Sequence, residues 1–454
     1  MPTTADIVIC GAGIVGVAAA YHLVVRQGIK KVVLVDENEP LSLTSARGTE
    51  AYRNWWPGPD ATMFRFMQRS IDWLEILATE SDNAGSMNQR GYVHLTADPD
   101  QVPVMRQQAE MISGFGAGAL RIHPGAEPYR IADPEGLDHL QTGADLIFDA
   151  EQITALYPFI TPDVVAMLHA RRCGFIDVQP LGRWMLDRIA DHGGRIIRDR
   201  ITSVGVTGNR IESVTCRSGT NISTGRLVLA AGPLLKDMGA LLRLDIPIIH
   251  ELHGKITLED TERIVPPDAP MIIWNDPVDL VWTEEEQTRL VSNPATRYLT
   301  EPFPVGVHFR PRFRDGKHTL LGIWTYDIAP QEPTFPPSFD PDYPEIIIRG
   351  LARMIPALSV YFGQGGDVYV DGGYYCKARD NRPLIGPLPI NGAYVVGGLS
   401  GYGVMGSQAA GELLAAHVTE ISLPDYAPAF VYDRFDDPTY CDRVEQWDAA
   451  MGQL

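Results

Sequence analysis

The sequence predicts a mixed α/β protein, α+β overall. One domain carries a parallel sheet assembled from discontinuous segments, and a second carries a mainly antiparallel β-sheet. Three observations predict this. ADIVICGAGIVGVAAAYHLVVRQG reads as buried strand, tight turn and helix, and KKVVLVDEN adds a second buried strand. A further strand–glycine turn–helix unit, AYVVGGLSGYGVMGSQAAGELLAAHV, stands near the other end, at 393–418. Between them the texture changes from 246 to about 365. Prolines crowd PPDAP, EPFPVG and PQEPTFPPSFDPDYP, with strand-like HELHGKITLE and HTLLGIWTYD between. At 454 residues the chain exceeds one core. The boundaries drawn are 1–85, 150–245 and 366–420 for the first domain, and 86–149 and 246–365 for the second. A polar, Asp/Tyr-rich tail covers 421–454.

The first helix ends at Gly28. Residues 61–79 carry apolar side chains at helical spacing, and QRGYVHLTAD alternates like a strand. ITALYPF and PLGRWMLDRIADHG read as helices. GGRIIRDRITSVGVTGNRIESVTCRSGTNISTGRLVLAAG reads as a meander of short strands with GN and SG turns, returning to the buried strand RLVLAAG. The EEE run at 284–286 reads as a solvated loop or helix end.

The apolar fraction is 45 % and the net charge is −19. That acidity disfavours nucleic acid and anionic membranes as partners. Five scattered cysteines without CxxC spacing give neither a disulfide framework nor a zinc site. The N-terminus shows no secretion signal, and the glycines and His22 in the run from Ile7 to Val25 argue against a membrane span. A reduced, cytoplasmic setting is the expectation.

Gly11-Ala12-Gly13-Ile14-Val15-Gly16 is a dinucleotide-binding fingerprint in its proper setting. Gly11 permits the tight turn, Gly13 lets a pyrophosphate approach the backbone, and Gly16 lets helix pack on strand. The helix N-terminus at Ile14 offers N–H groups to phosphate. Asp36, followed by Glu37, ends the second strand, where a carboxylate can hold ribose hydroxyls. Cys10 reads as a small core residue rather than a nucleophile. The fingerprint alone does not separate NAD from FAD. A nicotinamide enzyme completes its site within one contiguous Rossmann domain; a site built from both chain ends suits a larger cofactor.

GAGIVGVAAAYHL, VVLVDE, GFIDVQPLGRWML, RLVLAAGP, DNRPLIGP and GGLSGYGVMGSQAAGELLA together resemble the D-amino-acid oxidase family of FAD-dependent oxidoreductases. The branch most similar holds monomeric sarcosine oxidase, the sarcosine oxidase beta subunit and dimethylglycine-type enzymes. The resemblance implies FAD as cofactor. Gly11, Gly13, Gly16 and Asp36 match its ADP-binding unit, and Ser45, Arg47 and Thr49 fall on the segment that runs past the flavin. Ile201 matches a strand residue whose backbone meets adenine. Ala231 and Gly232 match small residues near the ribityl chain. Leu399, Gly401, Gly403, Val404 and Met405 match the loop and helix start by the flavin's pyrimidine end. Arg53 matches the arginine that binds a substrate carboxylate; a structural salt bridge is the alternative.

The departures are informative. The sarcosine oxidase lysine in the last loop is Met405 here, and its oxygen-activating lysine aligns with Leu320. The nearby histidine becomes Trp324, and Lys255 is the alternative cation, unless it is merely solvated. Gly373 stands where covalently flavinylated enzymes carry cysteine, so non-covalent FAD is expected. The arginine after Thr49 is Glu50. In NWW, Trp55 and Trp56 are expected to help wall the substrate cavity, with Tyr402 and Trp324 as further wall residues. Glu50 is expected either to attract a cationic amine or to pair with Arg47.

The implied reaction is oxidation of the C–N bond of a secondary or tertiary amine or amino acid. Hydride passes to flavin N5 and the imine then hydrolyses, with O2 or another acceptor taking the electrons. The small-molecule substrate would bind with Arg53, Glu50, Tyr402 and Trp324 nearest the chemistry. No metal is called for, and a homo- or hetero-oligomer is compatible. Rival readings are a hydroxy-acid or polyol dehydrogenase of the same fold, a flavin monooxygenase, and a non-catalytic FAD-binding subunit.

Overall fold

In a computed structural model of the chain, residues 3–123, 129–133, 135–137, 141–314, 316–365 and 368–447 are described. Six strands form the sheet that contains Ile7–Cys10. Their order is Arg195–Arg198, Val32–Asp36, Ile7–Cys10, Leu227–Leu229, Ala393–Gly397 and Leu384–Pro387. All pairings are parallel except the last, which is antiparallel. The inner strands are short apolar runs because both faces are covered.

On one face the helices Ile14–Tyr21, Thr62–Glu80, Val178–Asp191 and Gly403–Thr419 enclose the largest apolar core. The first and last of these cross closely: a Cβ on Gly411 would lie 2.6 Å from the Ala18 carbonyl carbon. The two ends of the chain are therefore packed together. On the other face a four-stranded sheet, mainly the meander Ile201–Thr207, Arg210–Cys216 and Asn221–Ser223, closes a smaller core. The helix predicted over 61–79 and the strand in QRGYVHLTAD appear as Thr62–Glu80 and Tyr92–Thr96.

The second sheet has ten strands, in the order Leu399–Ser400, Tyr369–Lys377, Ile249–Glu259, Lys317–Ile323, His308–Arg314, Met271–Trp274, Tyr92–Thr96, Ala166–Ala170, Ala144–Ile147 and Leu120–His123. It is mainly antiparallel, with parallel pairings only at Met271–Trp274 with Tyr92–Thr96 and at Leu120–His123 with Ala144–Ile147. Ala166–Ala170 and Tyr369–Lys377 belong to this sheet, although the sequence boundaries grouped both with the first domain. Their alternation reads the same in either sheet, and only pairing partners assign them. Helix Tyr343–Met354 packs on the back of this sheet. The acidic run opens helix Glu284–Ser292, capped by Thr283 and Glu286, and Glu286 also pairs with buried Arg349.

Candidate active site

The C-terminal ends of the parallel strands open into a cleft. Cys10, Asp36, Ala230 to Gly232 and Gly397 line it, as expected where parallel strands end. The strap Leu41–Ser45, the Asp199–Ile201 turn, Tyr374–Cys376 and the loop Gly398–Gly401 complete the wall. Gly11 holds φ +110°, and a Cβ there would sit 2.4 Å from the Ala230 carbonyl oxygen. A Cβ on Gly16 would sit 2.2 Å from the Gly11 oxygen, so this glycine serves helix–strand packing.

Ala12 N–H donates to Asp36 Oδ2 (2.8 Å) and Asn38 N–H to Asp36 Oδ1 (2.9 Å). Ile14 N–H donates to Ser45 Oγ (2.9 Å), which ties the strap to the helix N-terminus. Glu37 is held by Arg217 at 2.8 Å and Arg200 at 3.3 Å. Burial, reinforced by Asp36, pushes the Cys10 thiol up to about 12. It stays protonated at neutral pH and is no nucleophile.

A second cluster begins where the strap leaves the cleft at Gly48. Lys255 Nζ donates to the Arg47 and Gly48 carbonyl oxygens (2.7 and 3.2 Å) and lies 3.7 Å from Asp371. Lys255 is buried, and burial lowers its pKa. Asp371 also pairs with Arg47 at 2.7 Å. Glu50, at φ +55°, accepts from Arg310 Nη2 at 3.1 Å, with Arg312 Nη2 at 3.5 Å.

Arg53 ends the short strand Ala51–Arg53, which pairs with Cys173–Phe175. Its buried guanidinium donates to the Trp55 carbonyl (3.0 Å) and lies 4.9 Å over the Trp56 ring. Trp56 meets Tyr402 edge-on at 5.0 Å, and the Tyr402 hydroxyl donates to the Asn381 carbonyl. Alternation along the sheet puts His308, Arg310 and Arg312 on one face, and Tyr92 and His94 on one face of their strand. Burial, assisted by Arg53, lowers His94 and His308 to about 4, so both are neutral near pH 7. Beside the cleft, His253 stacks on Tyr375 at 3.7 Å and bonds Glu251 (3.2 Å), which also pairs with Lys377 (3.1 Å).

A family model described as FAD dependent oxidoreductase (DAO) matches residues 6–417. The chain belongs to the DAO family. Mitochondrial dimethylglycine dehydrogenases are similar in sequence. The Rattus norvegicus protein is 22 % identical over 418 residues, covering 90 % of this chain and 42 % of its own length. The Homo sapiens protein is 23 % identical over 419 residues, with the same coverage. The chain thus spans under half the length of these relatives. L-proline dehydrogenase from P. horikoshii shares the fold with TM-score 0.72 at 20 % identity, covering 96 % of this chain and 99 % of its own. Glycine oxidase from Geobacillus kaustophilus gives TM-score 0.70 at 14 % identity, covering 95 % and 98 %.

The cofactor that the family's description names is FAD. The cleft fits that cofactor: the glycine turn that floors it leaves no room for a side chain at Gly11, and its wall runs from Asp36 and Ile201 to the loop Gly398–Gly401. Of the positions expected to hold FAD, Gly11, Gly13, Ile14, Asp36, Glu37, Ser45, Ile201, Ala231, Gly232, Leu399, Gly401, Gly403 and Val404 line the cleft. Gly16, Arg47, Thr49 and Met405 do not. Gly16 is spent on packing, Arg47 turns outward to Asp371, Thr49 lies beyond Gly48, and Met405 is buried in the helical core.

The expected substrate residues divide. Arg53, Trp56 and Tyr402 form one packed chain, and Glu50 lies on the same strap. The tryptophans are core residues rather than walls of the cleft, and Trp56 supports Arg53. Glu50 pairs with Arg310, not with Arg47, and its charge is already answered. Trp324 is a correction. It lies in the core behind the sheet, donates to the Pro304 carbonyl (3.0 Å) and packs on Phe303, Tyr326 and Gly350. Leu320 shares that back core, while Leu321 alternates to the other face. Lys255 is not a solvated strand lysine. Arg310, Arg312, His94, His308, Tyr375 and Arg200 escaped the sequence reading; the alternating H-F-R-P-R run at 308–312 was the available signal.

Proposed function

We propose that the chain oxidises the C–N bond of a secondary or tertiary amine or amino acid, using non-covalently bound FAD. The observation that carries this is the buried Arg53 guanidinium, held over Trp56 on the strap that leaves the cleft at Gly48. A planar fork in that place suits a substrate carboxylate. The similar proteins support the substrate class: dimethylglycine dehydrogenase and glycine oxidase are each named for an amine or amino acid.

Bound FAD supplies the two-electron acceptor. The chain's residues bind and orient. Arg53 fixes the carboxylate, and the buried face carrying Tyr92, His94 and His308 excludes water. Helix Gly403–Thr419 offers its N-terminal end at the cleft, where it favours negative charge. Glu50, paired with Arg310, is not the general base, so the substrate amine reacts in its neutral form. Gly373 and the protonated Cys376, its thiol pushed up to about 12 by burial, support non-covalent attachment. Five free cysteines suit a reducing compartment. No helix among the described residues is long and apolar enough to cross a membrane.

The test is anaerobic mixing of the flavin-loaded protein with N-methyl amino acids, D-amino acids and hydroxy acids. Bleaching of the flavin by an amine supports the reading; bleaching by hydroxy acids alone replaces it, and no bleaching removes it. Repeating the panel in air with peroxide detection separates O2 from another acceptor.

A further inference from the structure

The charge around the strap exceeds what one substrate carboxylate requires. Four cations, Arg47, Lys255, Arg310 and Arg312, surround two close carboxylates, Glu50 and Asp371, an excess of two among the described residues. Asp177 acts on Arg310 from longer range and offsets part of it. Lys255 and Arg310 are each more than nine-tenths buried. Unanswered charge is expensive at such depth, and neither His94 nor His308 adds to it in the neutral form.

Arg310 is the informative member. Its Nη2 donates to Glu50 and its guanidinium lies 4.8 Å over the Phe175 ring, but its buried Nε–H has no partner among the described residues. Glu50 therefore occupies Nη2 and leaves the Nε–H unused among the described residues. Arg310 shares its strand face with His308 and Arg312, and Lys255 joins this group to Gly48 on the cleft wall.

We infer that the substrate carries a second acidic group, and that Arg310, backed by Arg312, receives it while Arg53 receives the first. The substrate class becomes an amine or amino acid with two carboxylates. This rests on the proposed C–N oxidation for the word substrate, but the dianion site is testable without turnover.

The flavin-loaded protein is titrated calorimetrically with succinate and with butyrate, acids of equal chain length. Succinate is expected to bind about tenfold or more tightly, the scale of one charge-assisted pair. In Arg310→Gln that preference falls to near unity while butyrate affinity holds. The double variant Glu50→Gln/Arg310→Gln removes both charges together and gives the same readout if the single variant does not fold. Equal affinities for the two acids in the unaltered protein, or a preference that survives both variants, overturn the inference. N-methylaspartate and N-methylalanine, compared by anaerobic bleaching, complete the experiment. Succinate preference with no bleaching by any amine removes the C–N reading and keeps the dianion site; bleaching by both amines with equal acid affinities does the reverse.

Discussion

Glu50 and Arg310 are 260 residues apart in sequence, yet a carboxylate oxygen of one lies 3.1 Å from a guanidinium nitrogen of the other. The pair joins the strap of the FAD-binding half to the face of the ten-stranded sheet. Both partners are buried. Breaking such a pair strands a charge and costs about 3–5 kcal/mol, whereas removing both members costs less. Glu50→Gln and Arg310→Gln are each expected to lower the urea midpoint clearly, and the double variant to recover part of it. Additive losses in the double-mutant cycle would show that the two do not interact.

Arg53→Lys retains the charge and loses the fork. The expected result is a KM for carboxylate-bearing amines raised by about tenfold or more, the worth of one bidentate contact, with the flavin spectrum unchanged. An unchanged KM in steady-state assays would move the carboxylate site elsewhere.

Gly11→Ala places a methyl group 2.4 Å from the Ala230 oxygen at a backbone φ of +110°. Strain of about 1–3 kcal/mol is expected, together with loss of FAD, because the turn that approaches the pyrophosphate must shift. The measurement is the flavin-to-protein absorbance ratio after purification. Full loading would show that this turn tolerates displacement.

Acid should destabilise the fold through its buried histidines. Burial holds His22 and His308 down to about 4 and His169 to about 3. The unfolded chain takes up these protons near 6.5, so between 6.5 and about 4 it binds more protons than the folded one. Stability is therefore full above about 7 and falls as pH drops through that window, by up to about 1.4 kcal/mol per histidine per unit. Thermal unfolding from pH 7.5 to 5 measures the slope, and His169→Gln should reduce it. A flat profile over this range would contradict the burial argument.

The C-terminal tail supplies the fifth expectation. Asp380 is fully buried and accepts from both Nε and Nη2 of Arg434 (2.7 and 2.9 Å) and from the Tyr440 hydroxyl. Arg434→Met should cost about 3–5 kcal/mol by the same stranded-charge argument. Because Asn381 next door receives the Tyr402 hydroxyl, flavin loading should drop as well, read from the same absorbance ratio. A variant as stable and as fully loaded as the parent would confine the tail to the surface.

The cofactor side was legible because its signals are local. A glycine turn between strand and helix, or an acid at a strand end, reports its geometry within a few residues, and so Gly11, Asp36, Ala231 and Gly401 fell on the cleft. The substrate side depends on register in a ten-stranded sheet. A change of one position sends a side chain to the opposite face, which is how Trp324 and Leu320 came to be read as site positions. Glu50 was misassigned for a related reason: Arg47 is its neighbour in sequence, whereas Arg310 reaches it only through tertiary pairing. The tail looked featureless because Arg434 and Tyr440 acquire meaning only opposite Asp380.

Residues Leu399–Ser400 pair with Cys376–Lys377, so the turn before helix Gly403–Thr419 is itself the edge strand of the ten-stranded sheet. The two halves cannot part like jaws without tearing main-chain hydrogen bonds beside the cofactor. Small molecules would then reach the cleft past the loops at its rim, with this pairing left intact.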